Sequence, residues 1–184
     1  MPKERRGRLA SCERWSDPSP AGFEELLEER RRLDQDRRDE VWEGVLHVIP
    51  PPSHAHEELV ITLGYLLRPY AKAKGMSLTG GVAIGTSKNN YRVPDLAMHG
   101  PGAAPQWHPT AALVVEIRSR GDDTDEKVPF YGDHGVEELL IVDPERRTLE
   151  WLSLQPEGEY RAVERSRLIA LGVVELASQI DWPE

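Results

Sequence analysis

The chain has 184 residues, a formal net charge of −9, 39% hydrophobic residues and 30% charged residues. That length suits one domain with its own core, and no stretch approaches the roughly 20 consecutive apolar residues of a membrane span. The acidic balance argues against strong, independent nucleic-acid binding, because such binding draws its affinity from neutralised phosphates.

Residues 1–20, rich in Arg, Ser and Pro, read as a flexible arm, and 21–184 as a single domain. The arm begins with basic residues, but no apolar run follows, so no signal peptide is expected and a cytoplasmic location is the simplest inference. Cys12 is the one cysteine, which excludes an internal disulfide and a cysteine-rich zinc site. Helical spacing of Phe23, Leu26 and Leu27 predicts a short helix near 22–31, followed by a solvated, charged segment.

"EVWEGVLHVIPPP" predicts a strand near 41–49, stopped by three prolines. "SHAHEELVITLGYLLRPYAKAKG" predicts the longest helix. Ser53 is its N-cap, Glu57 and Glu58 lie in its first turn, and Leu59, Leu63, Leu66, Leu67 and Tyr70 form its apolar face. Gly75 stops it.

Three strands are expected next, in "SLTGGVAIGTS", "YRVPDLAMHG" and "AALVVEIRS". The apolar run of the third predicts burial on both faces. "DEKVPFYGDHG" predicts a short helix in which Pro129 is tolerable only within the first turn. "VEELLIVDP" reads as a fourth buried strand, and "RRTLEWLSL" and "EYRAVERSRL" as a closing antiparallel pair. The order helix, three strands, helix, strand predicts an α/β fold with a mixed sheet and helices on both faces.

Three acidic positions stand out against that frame. Asp95 follows Pro94 within the second strand, Glu116 lies at the end of the third, and Glu40 or Glu43 lies in "DEVWEG". Carboxylates are depleted in strand interiors and rarely buried unless paired. Asp95 and Glu116 can converge at one end of the sheet, or Asp95 can cap a turn while Glu116 sits at a wet strand end. Two carboxylates about 4 Å apart would repel by about 4 kcal/mol at an effective dielectric of about 20. A shared proton, a lysine or a divalent cation relieves this, and oxygen ligands suit Mg²⁺ or Mn²⁺.

Lys127, Tyr131 and His134 share one face of the helix that follows, by i, i+4, i+7 spacing. Packed toward the sheet end, Lys127 would reach the carboxylates; otherwise it is an exposed helix lysine. Arg118, two residues after Glu116, is the rival cation.

"DEVWEGVLHVIPPPSHAH", "VPDLAMHG", "LVVEIRS" and "DEKVPFYGDHGVEELLIVDP" together resemble the Uma-two family of restriction-endonuclease-like proteins, in the PD-(D/E)XK nuclease superfamily. The resemblance rests on Pro-Asp, Glu-x-x-Ser, Lys-x-x-x-Tyr, Gly-Val-x-Glu and Val-Asp-Pro in order, from about Phe23 to the closing strands. It implies a restriction-endonuclease-like core and divalent-metal binding by Asp95 and Glu116. It implies that Lys127, from the helix, replaces the usual strand lysine. The family's upstream glutamate falls on Glu40, with Glu43 as the rival. His56 matches a family histidine that either shapes the metal end or simply sits in the first helical turn, the simpler expectation. Arg118 departs from the family, which is usually apolar there, and "ELL" lacks the aromatic residue usual before the fourth strand.

The implied activity is Mg²⁺- or Mn²⁺-dependent hydrolysis of DNA phosphodiesters, with Asp95, Glu116, Lys127 and Glu40 as catalytic residues. Double-strand cutting would favour a homodimer. The alternative is a catalytically inactive binding or assembly module on the same fold.

Overall fold

A computed structural model describes residues 13–15, 22–102, 107–119, 121 and 123–183. Within the expected N-terminal arm, Glu13–Trp15 form strand β1; Cys12 and the rest of that arm lie outside the described residues. Helix α1, Phe23–Arg32, has acidic residues in its first turn and three arginines in its last, matching the helix dipole at both ends.

The single strand expected near 41–49 is a hairpin, β2 (Glu40–Trp42) and β3 (Val45–Val48). Glu43 and Gly44 form the two-residue turn, with φ of 50° and 89°. Positive φ at both positions belongs to the type I′ turn, which matches the twist of the flanking strands.

Helix α2, His54–Ala73, starts as its sequence predicts: Ser53 Oγ accepts from the His56 N–H at 3.2 Å. Leu59, Leu63, Leu67 and Ala71 are buried along one face. Gly75 ends the helical segment at φ 68°, in the left-handed region that suits glycine.

The first two strands expected after α2 are each divided between two sheets. "SLTGGVAIGTS" becomes β4 (Ser77–Thr79) and β5 (Ala83–Ser87). "YRVPDLAMHG" becomes β6 (Asn90–Arg92) and β7 (Leu96–His99). The breaks fall at Gly80–Gly81 and at Pro94, which has no N–H for a ladder. A Cβ on Gly80 would meet the Asp95 carbonyl oxygen at 3.2 Å, so the two breaks are packed against each other.

The short strand β8 (Trp107–His108) precedes β9 (Leu113–Ile117), which is buried throughout. Helix α3 (Thr124–Asp133) then leads to β10 (Glu138–Asp143), β11 (Thr148–Leu154), β12 (Tyr160–Val163) and the short helix α4 (Val173–Ala177). Pro129 falls beyond the first turn of α3, contrary to expectation. It leaves the Asp125 carbonyl without a helical donor, and Asp125 is exposed, where water can serve that carbonyl.

One sheet runs β1-β3-β2-β6-β5-β8 and the other β12-β11-β10-β9-β7-β4. In the second, β9 and β10 are parallel and joined by α3, while β4–β7 and β7–β9 are antiparallel. The expected order of helix, three strands, helix and strand is therefore α2-β4-β7-β9-α3-β10, with β5 and β6 as an excursion into the other sheet. Alternation on the central strands sorts the core. Leu113, Val115, Ile117, Leu140 and Val142 pack with α2. Val114, Leu139 and Ile141 pack with Phe130 and Tyr131 of α3 and with Ile84 of β5. Glu116 has the parity of Val114, so it is directed to the α3 side.

Candidate active site

Register brings the two strand acids together. Ala97 pairs with Val114 and Leu96 with Val115. Continued one step past its last pair, that register brings Asp95 level with Glu116. Asp95 stands at the Pro94 break rather than inside a ladder, so one carboxylate oxygen can accept from the Ile117 N–H, at 2.8 Å.

Lys127 closes the cluster from α3. Its Nζ is 2.9 Å from Glu40 Oε1 and 3.3 Å from both oxygens of Glu116. The Lys127 side chain is 14% exposed and that of Glu40 only 1%. Tyr131, one turn along α3, donates its hydroxyl to Glu116 Oε1 at 2.5 Å. His134 does not join them, although its spacing suggested that it would. Its ring stacks on Phe130, with centroids 3.9 Å apart, and its Nδ1 lies 2.9 Å from the Phe130 carbonyl oxygen.

Glu40 is more than an accessory acid. It accepts from the Val93 N–H at 2.8 Å and from Trp42 Nε1 at 2.7 Å, besides meeting Lys127. Both its oxygens are committed, so Glu40 fixes Lys127 and ties the first sheet to the strand break before Asp95. Glu43, the rival, is exposed in the hairpin turn and lies outside the cluster. Arg118 does not compete with Lys127: it pairs with Asp125 at 2.5 Å.

His56 does what the simpler expectation denied. From the first turn of α2 its Nε2 reaches Asp95 Oδ1 at 2.8 Å, with Ser119 Oγ 3.4 Å from its Nδ1. Arg38 adds a further cation, 3.6 Å from Asp95 and 2.8 Å from Glu57. Only the family resemblance pointed to His56, and nothing pointed to Arg38. Arg38 sits in a charge run that looks uniformly solvated, and His56 occupies a helix start that needs no special explanation. Arg92 was missed too. It is buried between the Trp42 and Phe130 rings, its guanidinium carbon 4.2 and 4.1 Å from their centroids, and it clamps the first sheet to α3.

Electrostatics separate the roles of these groups. Burial drives the Glu116 carboxyl up, from an ordinary 4.5 to about 7; Asp95 and Glu40 add to the rise, and Lys127 and the Tyr131 hydroxyl oppose it. Burial also opposes ionisation of Asp95, but the His56 contact, the Ile117 N–H and Lys127 outweigh it and hold that carboxyl below its usual range. Burial works against the charge on Lys127, yet Glu116 and Glu40 prevail and keep it an ammonium well beyond its usual range. Tyr131 is pushed well up by burial and by the same carboxylates, so it remains a hydroxyl donor.

Glu40, Asp95, Glu116 and Lys127 line a cavity of about 590 Å³. Pro50, Pro51, Pro52, Pro144 and Pro183 line it together with Ile49, Val93 and Ile117. Among the described residues, no three His, Cys, Asp or Glu side chains converge as a ready metal cage. Two carboxylates nevertheless suit Mg²⁺, which is commonly held by one or two protein carboxylates with water and phosphate completing the shell. Burial first, and then the neighbouring Asp95 and Glu40, suppress the acidity of Glu116, and the charge crowding among these acids is what a divalent cation would relieve.

The profile of the Uma2 family, described as "Putative restriction endonuclease", matches residues 23–178. The chain belongs to the Uma2 family. Among solved structures, this Uma2 chain is similar to a "putative nuclease belonging to DUF820" from Anabaena variabilis ATCC 29413. The two share 17% identity with a TM-score of 0.64, over 83% of this chain and 97% of the other. That likeness concerns the fold. No curated protein matches the chain. Glu40, Asp95, Glu116 and Lys127 all lie within the span that the Uma2 family profile matches. The Glu of its Gly-Val-x-Glu motif, Glu138, lies away from the cavity. It is buried and accepts from Trp151 Nε1, Ser166 Oγ, Arg167 N and Leu168 N at 2.6–3.1 Å. Glu138 is thus a structural anchor for the segment after β12. Among the described residues, no helix is long and apolar enough to cross a membrane.

Proposed function

We propose that this chain hydrolyses DNA phosphodiester bonds with the help of Mg²⁺ or Mn²⁺, as an endonuclease. The observation that carries the reading is the Lys127 ammonium, held 2.9 Å from Glu40 and 3.3 Å from Glu116 in the lining of a cavity that Asp95 also lines. Carboxylates and one cation at that depth suit a reaction that builds negative charge on a phosphoryl group.

In this reading Asp95 and Glu116 hold the divalent ion. The chemistry expected from such an ion is Lewis-acid charge at the phosphoryl oxygens and a lowered pKa for water. His56 orients Asp95 and keeps its lone pairs directed. Lys127, fixed as an ammonium, orients the attacking water and stabilises charge developing on the phosphoryl oxygens; it is not the base. Glu40 holds Lys127 in place rather than binding the ion itself. Tyr131 positions Glu116 by occupying one face of its Oε1. A cut in both strands calls for two copies of the chain, one site each, whereas a single-strand cut needs one.

Purified protein incubated with single-stranded circular DNA, with plasmid, and with Mn²⁺, beside Asp95→Ala and Lys127→Ala, tests the proposal. Cutting by wild type and by neither variant supports it. Equal cutting by both variants overturns the assignment of the site. Wild type that cuts neither form of DNA favours the other reading, a binding or assembly module without turnover, which the net charge of −9 also suits.

A further inference from the structure

Resting on the hydrolase reading above, we propose that the cavity accepts an unpaired strand, such as a single-stranded segment or a frayed tail, and not continuous duplex. Depth is the first reason. The side chains that would act on phosphate are 1% exposed at Glu40, 8% at Glu116, 11% at Asp95 and 14% at Lys127. A reacting phosphate must therefore enter the cavity with its nucleotide rather than pass across the opening.

The walls are the second reason. Five prolines line the cavity, and each fixes its own φ, so its shape exists before any ligand arrives. Ile49, Val93 and Ile117 add apolar surface suited to the face of a base, which packs on such surface regardless of sequence. The volume of about 590 Å³ lies within the roughly 300–1,000 Å³ of pockets that enclose a small ligand. Trp42 is not a stacking platform. His47 stacks on its ring at 4.1 Å, and the Arg92 guanidinium also lies over it. A nucleotide in a duplex can enter such a cavity only by leaving its stack and its pair. An unpaired strand avoids most of that cost.

Charge is the third reason. Among the described residues that line the cavity, the basic groups besides Lys127 are Arg38, Arg118 and His56, and each is tied to a carboxylate, Glu57, Asp125 and Asp95. Duplex binding draws on many phosphate contacts. A strand segment threaded into one cavity needs few.

The test uses the wild-type chain with Mn²⁺ and two kinds of substrate. Bis(p-nitrophenyl) phosphate reports phosphodiester hydrolysis without any strand. One end-labelled oligodeoxynucleotide sequence is then presented single-stranded, as a blunt duplex, and as a duplex with unpaired tails. The single strand and the tails should be cut at least about tenfold faster than the blunt duplex, with cuts in the tailed form confined to the tails. A blunt duplex cut as fast as the single strand overturns this inference. If the small diester is hydrolysed in that case, the hydrolase reading stands without it. Failure to hydrolyse any of the substrates removes both.

Discussion

Lys127 lies eleven residues beyond Glu116 in the chain, and its ammonium stands 3.3 Å from both oxygens of that carboxylate. The contact joins the end of β9 to the first turns of α3. It places one buried positive charge against Glu116 and Glu40, with Asp95 adding to the same field.

Removing that charge should be costly in two ways. Lys127→Met leaves Glu40 and Glu116 buried without their cation, and breaking a buried ion pair from one side costs about 3–5 kcal/mol. Urea denaturation should show a loss of that size, and activity should fall with it. The double variant Glu40→Gln/Lys127→Met should recover part of the stability but none of the activity. Double-variant stability equal to the sum of the single losses would mean that the two groups are not coupled.

Stability should depend on pH through Glu116. Its folded carboxyl titrates near 7 against an ordinary 4.5, so the fold favours the protonated acid. The resulting stabilisation is fully present below pH 4.5 and is lost as pH rises through 7. The full effect is on the order of 3 kcal/mol. In EDTA, the melting temperature of wild type should fall between pH 5 and pH 8 more steeply than that of Glu116→Gln. Parallel curves for the two proteins would contradict the shift.

His56 should act through Asp95. His56→Ala removes the 2.8 Å contact that directs the carboxylate, and loss of such an outer partner typically weakens metal binding about 10–100-fold. Mn²⁺ titration of the variant should show that weakening, with partial recovery in His56→Gln. Unchanged affinity in His56→Ala would leave the histidine as a simple helix-start residue.

Glu138 offers a contrast within the same motif set. Four donors converge on it, away from the cavity. Glu138→Ala would strand the buried Trp151 Nε1 and Ser166 Oγ, each unmet donor costing about 1–3 kcal/mol. The variant should be markedly destabilised, yet its folded fraction should bind Mn²⁺ as wild type does. A metal-binding defect at full folding would bring Glu138 into the site after all.

Much of this was legible from residue order, and the misses have specific physical causes. The helix, three strands, helix and strand of the core follow from period and turn chemistry, and Asp95, Glu116, Lys127 and Tyr131 gather in one of the two arrangements that their spacing left open. The two-sheet division was not legible, because the alternation of "SLTGGVAIGTS" runs on across Gly80–Gly81 and that of "YRVPDLAMHG" across Pro94. Backbone breaks, not side-chain pattern, send β5 and β6 to the other sheet. The choice between Glu40 and Glu43 turned on Gly44, whose left-handed φ makes a turn of Glu43 and leaves Glu40 in the strand. His56 and Arg38 act across long sequence separations, 39 and 57 residues from Asp95, where no local pattern reports a partner.

The central claim is a cation-seeking pair of acids, and Mn²⁺ calorimetry tests it most directly. Wild type should bind one Mn²⁺ per chain, more tightly above pH 7 than below it, with the heat abolished in Asp95→Asn while its fold is retained. Absence of heat from wild type at millimolar Mn²⁺, or equal binding by wild type and Asp95→Asn, would contradict it.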